Sequence, residues 1–67
     1  MLHQDIIKGK WAQIKGQVRQ KWGALTDDDV DQIAGNREKL IGKIQETYGK
    51  ARKEAEEEIK EWEGNLH

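Results

Sequence analysis

Gly9-Lys-Trp11-Ala-Gln-Ile14-Lys-Gly16-Gln-Val18-Arg-Gln-Lys-Trp22-Gly23 and Gly35-Asn-Arg-Glu-Lys-Leu40-Ile-Gly42-Lys-Ile44-Gln-Glu-Thr-Tyr48-Gly49 are two copies of one pattern. Both read G-x6-G-x-[VI]-x3-[WY]-G, the second copy beginning 26 residues after the first. Ile14 falls on Leu40, Val18 on Ile44, Trp22 on Tyr48, and the three glycines on glycines. Matches of these types at six of fifteen positions mark an internal repeat, and the unit repeated is helical.

Outward from the first copy, Trp11, Ile14, Val18, Trp22 and Leu25 recur every three or four residues and predict a helix over about 5–22. Gly23 is placed to end it in the left-handed C′ position. Thr26 then caps a short second helix, its hydroxyl accepting from the Asp29 N–H, with Asp27, Asp28 and Asp29 on the positive end of the helix dipole. That helix turns Val30 and Ile33 inward and stops at Gly35. Asn36 caps the third, whose stripe is Leu40, Ile41, Ile44 and Tyr48, with Gly49 at its end. A fourth, over about 50–63, sets Ala51, Ala55, Ile59 and Trp62 on one face and glutamates elsewhere. No β alternation interrupts this, and there is no proline. The expectation is an all-α fold of four short helices in one domain over 1–67, with an ordered core over about 5–63.

Charge follows the same division. Residues 1–22 sum to +4, 26–34 to −4, 36–53 to +4 and 54–67 to −5, which leaves the chain at −1. Alternating signs suit a charge-complementary array, although exposed pairs of this kind stabilise by only about 0.2–0.5 kcal/mol each. A near-neutral total argues against a generic polyanion binder. The absence of cysteine excludes disulfide scaffolds, thiol nucleophiles and cysteine-ligated zinc. No apolar run approaches the roughly 18 residues of a membrane span and no signal peptide is visible, so a soluble, cytoplasmic chain is expected. At this length only about 60% of the unfolded chain's surface is buried on folding. Three tryptophans must carry much of the core, so marginal stability is expected.

Gly9, Gly16 and Gly23 are seven residues apart, and so are Gly35, Gly42 and Gly49. Seven steps of about 100° return to nearly the same side of a helix. On that phase the glycines oppose the apolar stripe and form a back face with Ala12. A glycine inside a helix costs about 0.8–1 kcal/mol relative to alanine. Gly16 and Gly42 therefore call for a reason: close approach of another backbone, from the second hairpin or a partner; deliberate lability; or tolerance of a relic. Close approach makes Gly9, Ala12, Gly16 and Gly42 the candidate partner-contact face.

Other sites read weakly. Asp27-x-Asp29-x-Asp31 with Glu38 matches four ligand positions of a calcium-binding loop, but Gln32 stands where that loop needs glycine. The same aspartates follow a capping threonine, and a loop and a capped helix cannot share one stretch. His3 and His67 sit at opposite ends with no third ligand nearby, so no metal is expected. With no serine, and Thr26 and Thr47 the only hydroxyls of that type, no nucleophile–histidine pair is in view. Glu56-Glu57-Glu58 reads as a solvated face rather than a tuned acid and base. The glycines are too far apart to cradle a nucleotide. Neither enzyme activity nor a cofactor is expected. Basic residues interleaved with Trp11 and Trp22, in two repeated hairpins, suggest doubled helix-hairpin-helix DNA-binding modules. Against this, the tryptophans belong to the core stripe and the acidic helices cancel the field, so nucleic acid is disfavoured.

Trp11, Lys15-Gly16, Trp22-Gly23, Leu25-Thr26-Asp27-Asp28-Asp29 and Gly35-x-Arg37-x-x-Leu40-x-Gly42-x-Ile44-Gln45-x-x-Tyr48-Gly49, taken in order, resemble the CsbD-like family of small bacterial general stress proteins. The likeness runs from about residue 8 to 62. It implies four short helices as two roughly orthogonal hairpins, similar to SAM-like domains, in a cytoplasmic protein of the general stress response with no catalytic activity. The family brings no ligand or catalytic residue to carry over. Two mechanisms stay open. One is a folded interaction module that docks an unidentified protein, or a second copy, along the glycine face. The other is a hydrophilic protectant of the desiccation-protein type, which a mean hydropathy of −1.06 favours.

Overall fold

A computed structural model describes residues 9–65. The expected beginning of the first helix at residues 5–8, and His3 and His67, lie outside the described residues. Four helices follow one another: α1 (Trp11–Lys21), α2 (Asp27–Ile33), α3 (Arg37–Tyr48) and α4 (Arg52–Gly64). Among the described residues there is no strand, and the fold is all-helical.

The helix boundaries form as local chemistry dictates at three places. Thr26 Oγ1 accepts from the Asp29 N–H at 3.1 Å, and the Asp29 carboxylate accepts from the Thr26 N–H at 3.0 Å. This reciprocal capping box satisfies two donors that would otherwise be orphaned at the start of α2. Asn36 Oδ1 accepts from the Lys39 N–H at 3.0 Å to cap α3, and Gly49 ends that helix at φ 66°.

Elsewhere the ends differ from expectation. Gly23 is not left-handed; among the described residues those with positive φ are Ala34, Gly35 and Gly49. α1 closes one residue earlier, where Trp22 leaves helical geometry at φ −117° and its N–H still donates to the Val18 carbonyl. The Leu25 N–H then donates to the Trp22 carbonyl at 3.0 Å. The chain turns on the buried tryptophan, so the following glycine has no left-handed cap to supply. α2 ends at Ala34, at φ 47°, one residue before the expected Gly35. α4 starts at Arg52 rather than residue 50, because Gly49 breaks the chain direction and the Glu54 carboxylate accepts from the Ala51 N–H at 3.4 Å.

The expected stripes close on one another except at Tyr48 and at Ala51, which is exposed as the N-cap of α4 because that helix begins at Arg52. Ile14, Val18 and Trp22 of the first stretch, Val30 and Ile33 of α2, Leu40, Ile41 and Ile44 of α3, and Ala55, Ile59 and Trp62 of α4 are buried together with Leu25. Trp11 is half-buried against them. Trp22 and Trp62 meet edge to face with centroids 5.2 Å apart. Each such ring removes about 150–250 Å² from water, roughly 4–6 kcal/mol of favourable transfer. α2 packs on both α1 and α3, and α3 packs on α4.

Of the residues aligned between the two sequence segments, Ile14 and Leu40, and Val18 and Ile44, are all buried, whereas the aromatic pair differs. Trp22 is 1% exposed and Tyr48 39%. α4 supplies Trp62 and Glu58 to enclose Trp22. Tyr48 lies at the far end of α3, its hydroxyl accepting from the Ala24 N–H at 3.1 Å and its ring facing the Lys50 ammonium.

The alternating charges pair across elements. Arg19 of α1 meets Asp27 of α2, and Lys43 of α3 lies 3.3 Å from Asp29 of α2. Arg52 of α4 lies 2.7 Å from Glu38 of α3. Arg37, opening α3, holds Glu63 near the end of α4 through two contacts of 3.3 and 3.5 Å.

Candidate functional site

The candidate face begins with helical phase. Core residues Ile14 and Val18 fix the inward side of α1, and Leu40 and Ile44 that of α3, so Gly16 and Gly42 turn outward. Gly9, Ala12, Gly16 and Gly42 are all exposed. A Cβ built on Gly9, Gly16 or Gly42 would meet nothing within 4 Å. The second hairpin's backbone therefore does not close on these glycines, and nothing else among the described residues does.

Each of the two mid-helix glycines borders a groove against α2. Gly16 lines one of about 810 Å³ with Ala12, Gln13, Lys15 and Arg19 of α1 and with Asp27, Val30 and Asp31 of α2. Gly42 lines another of about 420 Å³ with Lys39, Lys43 and Glu46 of α3 and with Gln32 of α2. Ala12 and Gly16 are thus brought together, Gly42 stands on the other side of α2, and Gly9 lines neither groove. The α2 wall was absent from the sequence reading, in which Asp27 and Asp31 figured as capping or ligand residues. Their i, i+4 spacing places them on one side of α2 and was the available signal.

Both grooves are flanked by opposite charges. Arg19 and Asp27 pair across the first. Beside the second, the Thr26 N–H, and then Lys43, hold the Asp29 carboxyl below its ordinary range against a partly opposing desolvation. Asp29 is therefore committed to capping, and residues 27–33 are helical rather than a twelve-residue ion-binding loop. Among the described residues no three His, Cys, Asp or Glu side chains converge as a metal site. Each groove is thus an open surface bordered by one mid-helix glycine and by side chains of both charges.

A second polar cluster joins α1 to α4. Trp22 Nε1–H donates to Glu58 at 2.6 Å, and Lys50 pairs with the same carboxylate. Lys50 first, and Trp22 after it, hold the Glu58 carboxyl below its ordinary range, while Glu58 raises Lys50. Glu58 is thus a structural joint and not part of a solvated glutamate face. Trp22 Nε1, Lys50 Nζ and both Glu58 oxygens thus each find a partner within the cluster.

No helix among the described residues is long and apolar enough to cross a membrane. The chain is 48% identical over 63 residues to the UPF0337 protein YjbJ of Salmonella typhimurium, covering 94% of this chain and 90% of the relative. It is 43% identical over 65 residues to a UPF0337 protein of Pseudomonas aeruginosa, covering 97% and 100%. YjbJ of Escherichia coli K12 is 48% identical over 62 residues, covering 92% and 90%. No solved structure matches the chain. The CsbD-like family model matches residues 5–57, and with relatives this similar along nearly their whole length, the chain belongs to the CsbD-like family.

Proposed function

We propose that this protein is a non-enzymatic member of the bacterial general stress response, acting in the cytoplasm as a small folded module that docks a partner protein along the glycine face. The observation that carries the reading is the open space over Gly16 and Gly42. Each glycine weakens its helix by about 0.8–1 kcal/mol, and nothing among the described residues uses the missing Cβ to offset that cost. A partner helix approaching closely enough to use the missing Cβ would offset it. Gly9 and Ala12 extend the face along α1. The Thr26–Asp29 capping box and the buried Trp22 and Trp62 support a defined surface for specific docking.

The test is a bulky substitution that the fold tolerates. At Gly16 and Gly42 an added Cβ meets nothing within 4 Å and both positions are exposed, so Gly16→Leu and Gly42→Leu should retain helicity and the tryptophan near-ultraviolet signal. A tagged wild-type chain and this double variant are used to capture proteins from stressed cells, and sedimentation of both reports self-association. Loss of the captured species, or of a wild-type oligomer, in the folded double variant supports the face. Identical capture and identical sedimentation overturn it.

The mean hydropathy of −1.06 favours a second reading, a hydrophilic protectant that works by abundance. That reading expects a broad, featureless melt and no dependence on any single surface. A cooperative melt seen alike in far- and near-ultraviolet circular dichroism favours the module.

A further inference from the structure

We draw no further inference here: the strongest candidate, the pair of glycine-bordered grooves on either side of α2, belongs to the site already described, and nothing in the structure shows what covers it.

Discussion

Replacing Gly16 and Gly42 together by alanine should stabilise this protein, and the size of the effect follows from the structure. Both residues sit inside helices, at positions 6 of 11 in α1 and 6 of 12 in α3. Neither has positive φ, and an added Cβ meets nothing within 4 Å at either. The substitution therefore removes backbone freedom from the unfolded chain without strain in the folded one. Each is worth about 0.8–1 kcal/mol, and the two lie on different helices beside grooves that share no residue, so they add to about 1.6–2 kcal/mol. Unfolding entropy near 2.1 cal/mol/K per residue gives about 0.14 kcal/mol/K for a chain of this size, hence a midpoint raised by roughly 11–14 °C. Gly49→Ala is the internal control. Its φ of 66° suits glycine, so alanine there should lower the midpoint, at about 1–2 kcal/mol for a left-handed L-residue. Thermal melts by circular dichroism at two protein concentrations read all three variants. An unchanged or lowered midpoint for the double variant refutes the reasoning. It would mean that something approaches these glycines in solution, and a fall confined to the higher concentration would identify a second copy.

Glu58→Gln should cost about 1 kcal/mol at neutral pH, since it replaces a charge-assisted contact to Lys50 while leaving an oxygen for Trp22. The Glu58 carboxyl is held below its ordinary 4.5, so its stabilisation is present above that value and is lost as pH falls through the lowered one. Urea titrations between pH 5 and about 3 should accordingly show a shallower loss in the variant, and parallel curves would contradict the assignment. Arg37→Ala removes the ion pair to Glu63, whose side chain is 2% exposed, and should lower stability by about 1.5–3 kcal/mol, the worth of a hydrogen bond to a charged group. Against a total of about 3–10 kcal/mol for a chain this long, a fully folded Arg37→Ala protein with an unchanged urea midpoint would disprove that value. Thr26→Ala removes one arm of the capping box and should lower stability by about 1 kcal/mol, read from the same midpoints. Ala34→Gly relieves a left-handed alanine at φ 47° and should raise the thermal midpoint by several degrees.

What the sequence made legible, and what it did not, separates by the range of the interaction. Thr26, Asn36 and Gly49 act on backbone groups within four residues, so their caps could be placed before any packing was known. The apolar stripes were equally legible, because 3.6-residue periodicity fixes which side of a helix must be covered. Gly23 misled because the end of α1 is set from elsewhere: Trp22 is held by Trp62 and Glu58, some forty residues on, and the turn follows from that anchor. The glutamates of α4 misled for a related reason. Charge alone assigned them to solvent, yet Glu63 lies four residues after Ile59 and next to Trp62, at the rim of the buried side, where Arg37 meets it. Helical phase would have separated Glu58 and Glu63 from exposed Glu57 and Glu61. The candidate face divides in the same way. That Gly16 and Gly42 look outward is a matter of phase within one helix, and the sequence sufficed. That they border separate grooves with α2 between them depends on how three helices pack, which the repeat does not encode: its two copies cover α1 and α3 and leave α2 as the linker between them.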